Sequence, residues 1–226
     1  WRPRAKAANP RLACAAACGS APPSRSAAPA WGALAVEFME QNPGLSLNVI
    51  LCDRPVDVIE EGYDLAIRIG HDGDDPARQA GLAVQQLTPV RFLVCAAASY
   101  LERHGIPATP ADLTRHICLT DTRHPGDLWR FTGPEGVVDV AVSGHLKTDN
   151  GLLRRGAARA GAGVLMAPEF LVEEDLRLGR LVRVLHGYEP SGGTLDVVCP
   201  AHRGASPKVR TLISFLGARL TAGTGD

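Results

Sequence analysis

No stretch of the chain reaches the roughly 18–20 consecutive apolar residues that a membrane-spanning helix needs. An excess of either charge is also missing. The 24 Lys and Arg balance 24 Asp and Glu, so nothing draws the whole chain toward DNA or anionic lipid. Lysine is scarce (Lys6, Lys147, Lys208), and arginine carries the rest of the positive charge. With heavy alanine use, that fits a GC-rich coding sequence. The seven histidines show neither H-x3-H nor HExxH spacing, so no helix-borne metal site is expected. His116, His124 and His145 read as surface or capping residues. Neither a G-x-S-x-G nor a P-loop occurs, and Gly161-Ala162-Gly163 reads as a helix end before a strand. Internal repeats and a heptad seam are absent as well.

Cysteine is present without a framework. Cys52, Cys95, Cys118 and Cys199 fall in or at the end of apolar strand patterns, where a free thiol behaves as a small hydrophobe. Cys14 and Cys18 stand alone at C-x3-C spacing, which is no zinc motif without a second pair.

What remains is a chain of 226 residues, 45% apolar, with ample material for one large domain or two small lobes. Residues 1–31 are rich in Ala, Pro, Ser and Arg and show no regular period, so an irregular or disordered course is expected there. The apolar run in this start is broken by Pro10 and Arg11 and has no leucine-rich centre. That argues against a secretory leader and for a cytoplasmic address.

From Trp31 the pattern becomes regular. Leu34, Phe38 and Met39 mark a short helix stopped by Asn42-Pro43-Gly44. A strand over 45–52, a helix near 54–61 and a strand over 63–69 would form a right-handed parallel crossover. Further strands are expected over 82–87, 90–96, 117–120, 128–131, 137–142, 145–148, 164–166, 181–185 and 194–199. Thr88-Pro89 separates the first two of these. Helices are expected from Ser99, from Pro110 (with Thr109 as cap), over 150–162, over 169–178 and after Ser206-Pro207. Strands and helices alternate throughout, so the fold class is α/β. The runs at 82–96 and 194–199 are where the chain crosses from one lobe to the other and back. The expected division is lobe I over 32–92 and 194–226, with lobe II over 93–193.

Several motifs share a family order. They are Asp53-Arg54-Pro55-Val56-Asp57, the run from Gly62 through Tyr63-Asp64-Leu65 to Arg68-Ile69-Gly70, and Ser99-Tyr100-Leu101 with His104-Gly105. Pro110-Ala111-Asp112-Leu113, Trp129-Arg130-Phe131, Asn150-Gly151-Leu152-Leu153-Arg154 and Gly161-Ala162-Gly163 follow. Asp175-Leu176 with Gly179-Arg180-Leu181-Val182, then Ser206-Pro207-Lys208-Val209-Arg210, complete the set. Over roughly residues 33–220 the chain resembles the effector-binding domain of LysR-type transcriptional regulators. The resemblance implies two Rossmann-like lobes of periplasmic-binding-protein type II architecture, with a small-molecule effector in the hinge cleft. It implies a homodimer formed by antiparallel pairing of lobes, with the helices at 33–42 and 152–162 as interface elements. No enzyme activity and no cofactor are expected.

Ligands of open α/β sheets bind outside the carboxyl ends of strands. Candidate effector-binding residues are therefore Arg68, Ile69 and Gly70 at a strand end, Thr120 at another, Asp149, Asn150 and Gly151 at a helix start, and Pro168 and Phe170 after a strand. Free amides at the Asn150 helix start favour an anion, hence a carboxylate effector. Arg68, charged within an apolar run, either pairs with a buried carboxylate or reaches the effector. Asp53 with Asp57, and Asp72 with Asp74 and Asp75, could be acid pairs, but read as a strand end or helix cap and a solvated turn. Arg154, Arg155 and Arg159 read as a solvated face rather than a DNA contact.

Regulators of this kind begin with a winged helix-turn-helix and a linker helix, which do not fit into residues 1–31. DNA contact is thus expected only through a domain absent from this chain. Family members also open the domain with a strand and a Ser/Pro/Phe/Gly loop, and residues 12–31 lack a strand pattern; Gly19-Ser20-Ala21-Pro22 resembles the loop only faintly. The alternatives are a solute-binding protein of a transporter, which needs export, a non-functional truncated regulator, and an enzyme, which needs a converging acid–base set.

Overall fold

The computed structural model describes residues 11–16, 27–54, 56–71, 81–122, 127–204 and 206–221. In chain order these form β1 (Arg11–Ala16), α1 (Ala27–Gln41), β2 (Ser46–Leu51), β3 (Leu65–His71), β4 (Leu82–Val90) and β5 (Phe92–Ala96). Next come α2 (Ala98–His104), a 3-10 helix (Pro110–Arg115), β6 (Cys118–Leu119), β7 (Leu128–Gly133), β8 (Gly136–Ala141) and α3 (Gly151–Arg159). The chain continues with β9 (Val164–Pro168), α4 (Glu169–Arg177), β10 (Val182–Arg183), β11 (Glu189–Pro190), β12 (Gly193–Pro200) and α5 (Pro207–Thr221). No described helix is long and apolar enough to cross a membrane.

Two sheets carry the fold, one in each of two lobes. The first has the order β2-β1-β3-β12-β4, and the second β10-β5-β9-β6. A three-stranded sheet, β11-β7-β8, extends the second lobe. The chain leaves the first sheet between Val90 and Phe92 and returns between Pro190 and Gly193.

Alternation decides which side chains fill each core. On one face of the first sheet Leu12, Cys14, Leu65, Ile67, Leu195, Val197 and Cys199 pack against Phe38 of α1 and Val209, Leu212 and Leu216 of α5. Ala66 and Val198 face the other way, under Val58. In the second sheet Val94 and Ala96 join Trp129, Phe131 and Tyr100, while Leu93 and Cys95 join Leu165, Leu171 and Val172. Strand β5 is buried on both faces, which is why it reads as an unbroken apolar run.

The irregular course expected for residues 1–31 needs correction. Arg11–Ala16 is a strand, parallel to β2 over its whole length and to β3 from Cys14 onward. Its sequence, RLACAA, has no β-branched residue, so propensity gives no sign of it; two neighbouring strands and one carboxylate impose it. The Asp64 amide donates to Ala13 O (2.8 Å), and Ala13 N donates back to Asp64 Oδ2 (2.9 Å). Lys208 Nζ ties Asp64 Oδ2 (2.7 Å) to Arg11 O (2.8 Å). Helix α1 also begins earlier than expected, at Ala27. Residues 1–10 and 17–26, Cys18, Gly19-Ser20-Ala21-Pro22 and the turn with Asp72, Asp74 and Asp75 lie outside the described residues.

The crossover expected from β2 to β3 is parallel but not adjacent, because β1 lies between them. Turns replace the helix expected near 54–61. The Asp57 carboxylate caps the amides of Ile59 (3.0 Å) and Glu60 (2.9 Å), and Gly62 takes φ +74°. The break expected at Thr88-Pro89 is absent. Strand β4 runs through it, because it is an edge strand, where a residue without an N–H is tolerated. The strand expected over 145–148 is reduced to one bridge, Thr120 to Lys147.

Two glycines let the second lobe close around β6. A Cβ on Gly144 would stand 1.9 Å from Cys118 O, and one on Gly163 2.5 Å from Ile117 O. Both obstacles are backbone, so relief requires moving β6. Gly144→Ala is expected to cost about 1–3 kcal/mol or more and to lower the melting temperature. A wild-type melting curve for that variant would contradict this packing.

Candidate functional site

On the first lobe, the carboxyl end of β3 carries Arg68, Ile69 and Gly70. Ile69 packs against the α1/α5 core, so its side chain turns away from the opposite face that bears Arg68 and Gly70. Arg68 stands across from Asp196 of β12, and Gly70 across from Thr194. Thr194 Oγ1 lies 2.6 Å from the buried Asp196 carboxylate. Gly70 is needed there, since a Cβ would sit 2.3 Å from Asp196 Oδ2. Arg68 Nε is buried and meets no hydrogen-bond partner among the described residues. The buried carboxylate of Asp196 is the cross-strand neighbour of Arg68.

On the second lobe, Thr120, Asp149, Asn150 and Gly151 are brought together at the end of β6 and the start of α3. Thr148 N donates to Thr120 O (3.2 Å), and Asn150 N to Thr148 Oγ1 (3.2 Å). Asn150 is the N-cap of α3, its Oδ1 accepting from Leu153 N at 2.8 Å. Gly151 and Thr120 are buried, and Asp149 is half-buried. That helix start places partial positive charge where β6 ends.

Strand β1 is parallel to both β2 and β3, so the segment after β2 leaves the same end of the first sheet as Arg68–Gly70. Asn150 Nδ2 donates to Asp53 Oδ2 at 2.6 Å, linking the start of α3 to the segment that follows β2. Asp53 was expected only to end a strand or cap a helix. Pro168 is buried at the end of β9. Phe170, next on α4, packs against the cores of both lobes.

Charge pairs brace the hinge nearby. Arg91, between β4 and β5, donates through Nη2 to Glu189 Oε1 (2.9 Å), and Arg183 Nη2 reaches the same oxygen (2.9 Å). The Arg91 hydrogen bond leads in holding the Glu189 carboxyl below the usual glutamate range. Glu169 N donates to Arg91 O at 2.9 Å, joining α4 to this crossing.

Sequence reasoning missed a buried pair behind the site. Arg154, expected on a solvated face, donates to Asp121 Oδ2 at 2.6 Å, the two side chains being 10% and 4% exposed. Arg155 is likewise turned inward, to Asp175 (2.5 Å), while Arg159 reaches the same carboxylate at 3.4 Å with more of its side chain in solvent. The available signal was positional: Arg154 lies four residues after Asn150, hence on the same helix face.

Burial disfavours the thiolate form at three of the described cysteines. Cys95 and Cys118 are buried, and burial pushes each thiol up to about 12. Cys14 is pushed to about 12 by burial and by the neighbouring Asp64 carboxylate. Among the described residues no group of three His, Cys, Asp or Glu side chains is placed to hold a metal.

Residues 24–221 match the LysR substrate binding domain family. The chain is 33% identical over 183 residues to an uncharacterized HTH-type transcriptional regulator, YhjC, of Escherichia coli K12, covering 80% of this chain and 60% of that protein. It is 32% identical over 187 residues to the HTH-type transcriptional activator TtdR of the same strain, covering 80% and 57% respectively. The chain thus spans about 60% of the length of these relatives. Among solved structures, the regulatory domain of CrgA, a LysR-type regulator of Neisseria meningitidis, superposes with a TM-score of 0.74 at 26% identity, over 93% of this chain and 98% of that one. Full-length AphB of Vibrio cholerae superposes with a TM-score of 0.73 at 22% identity, over 94% and 69%; this second likeness concerns the fold alone.

Proposed function

The chain belongs to the LysR substrate binding domain family, and from that membership we propose that it senses a small-molecule effector and controls transcription through a ligand-dependent rearrangement. The observation that carries this reading is a hydrogen bond that joins the lobes at the candidate site. The capped start of α3 in one lobe meets Asp53, just after β2, in the other, and the two lobes have separate cores. Such a site binds and reports; it holds no converging nucleophile or acid–base set among the described residues. The positive end of α3 favours a carboxylate as the recognised group. Arg68 Nε adds a donor on the other lobe.

A thermal-shift screen of aromatic and aliphatic carboxylates tests the proposal. A ligand at a hundred times its Kd stabilises by about 2.7 kcal/mol, a rise of several degrees for a chain of this size. If the protein melts cooperatively and no carboxylate moves the transition, the carboxylate-sensing reading is wrong.

The assembly we propose is a homodimer that uses α1, α3 and the edge strand β2. Val36 and Met39 of α1, Val49, Ile50 and Leu51 of β2, and Leu152 and Leu153 of α3 are exposed apolar side chains. An apolar sheet edge of this kind invites a partner. Light scattering after size exclusion should give twice the chain mass for wild type and a monomer for Ile50→Glu with Leu153→Glu.

A further inference from the structure

The Asn150 side chain does two jobs at once, and its orientation follows from them. Its Oδ1 accepts from Leu153 N, so its Nδ2 must be the atom that meets Asp53 Oδ2. Each end of this bond is held on its own lobe. Asn150 is tied through Thr148 to Thr120, at the end of β6. Asp53 leads into a turn braced by the Asp57 caps and by Arg54 Nη1 donating to Glu61 Oε1 at 2.7 Å. A hydrogen bond between two such anchored groups couples the lobes rather than two loose side chains. It also puts a carboxylate of the protein at the helix start where an anionic ligand would bind.

We propose that Asp53 and Asn150 form a cross-cleft latch that holds the ligand-free lobes together, and that an anionic ligand takes the place of Asp53 as acceptor at the start of α3. This rests on the effector-sensing reading above for its second half only. A latched population lowers the apparent affinity by the fraction that stays latched. Removing a charge-assisted hydrogen bond of this kind should therefore tighten carboxylate binding roughly tenfold.

Asp53→Ala and Asn150→Ser break the bond from opposite sides, and serine retains an N-cap acceptor. Hydrogen exchange of the full chain is then followed peptide by peptide without ligand. Asp53→Ala is expected to speed exchange over residues 118–122 and 148–152, in the other lobe. Asn150→Ser should do the same over residues 50–54. Changes confined to the mutated lobe overturn the latch. Benzoate and succinate serve as probes for the second half. Half-saturation at about a tenth of the wild-type concentration supports displacement, whereas weaker binding in Asp53→Ala overturns it by making Asp53 part of the site. Faster cross-lobe exchange with no binding of either probe to any form leaves the latch standing and counts against the carboxylate reading instead.

Discussion

Asp121→Ala is expected to destabilise the protein by about 3–5 kcal/mol, because it removes one member of a buried ion pair and leaves the other charged. Arg154 is 10% exposed and donates to Asp121 Oδ2 at 2.6 Å, on the first inward-facing turn of α3. Its guanidinium cannot give up its charge, so the substitution takes a buried counter-charge away from a cation behind the site. For a chain of this length the melting temperature should fall by roughly 6–20 °C. Combining Asp121→Ala with Arg154→Leu should recover much of the loss, since an apolar pair of similar volume can replace a buried ion pair at little cost. A double variant as unstable as the sum of its parts would assign the effect to packing instead.

The second large effect is expected at Asp175. Its side chain is fully buried, yet Arg155 Nε donates to it at 2.5 Å and Arg180 Nε makes a very short contact. Arg159 adds a third guanidinium at 3.4 Å. Burial alone would raise this carboxyl, but the hydrogen bonds from Arg155 and Arg180 outweigh it and hold the carboxyl below the ordinary aspartate range. Asp175→Asn should cost about 3 kcal/mol at neutral pH, toward the low end for a broken buried pair because its arginines keep some contact with water. A depressed folded-state value means the stabilisation is complete above the unfolded value of about 3.9 and is lost as pH falls through the folded one. Denaturant melts from pH 7 downward should therefore show a constant gap between wild type and Asp175→Asn until about pH 4, then convergence. A gap that persists at lower pH would remove the charge pairs as its cause.

Much of the architecture was legible because strands buried on both faces read as unbroken apolar runs. Strands β3, β5 and β9 carry branched aliphatics at the spacing a sheet requires, and Asn150 before Gly151-Leu152-Leu153 is a recognisable cap. Strand β1 was not legible. Its alanines and cysteine acquire strand geometry only between β2 and β3, with Asp64 and Lys208 holding one end. The missing helix over 54–61 has a local cause: Asp57 spends its carboxylate on nearby amides, and turns result.

The amino-acid order by itself determined the α/β class, the alternation that fills both cores, the helix cap at Asn150 and the membership of the chain in its family. Those features depend on neighbours within a turn or a strand, or on motifs in a set order. Tertiary structure alone decided that Arg154 is buried against Asp121, that three arginines meet at Asp175, and that Asn150 closes on Asp53 from 97 residues away. A charged side chain carries no local mark of its distant partner, so whether it faces water or a buried opposite charge is settled only when the lobes pack.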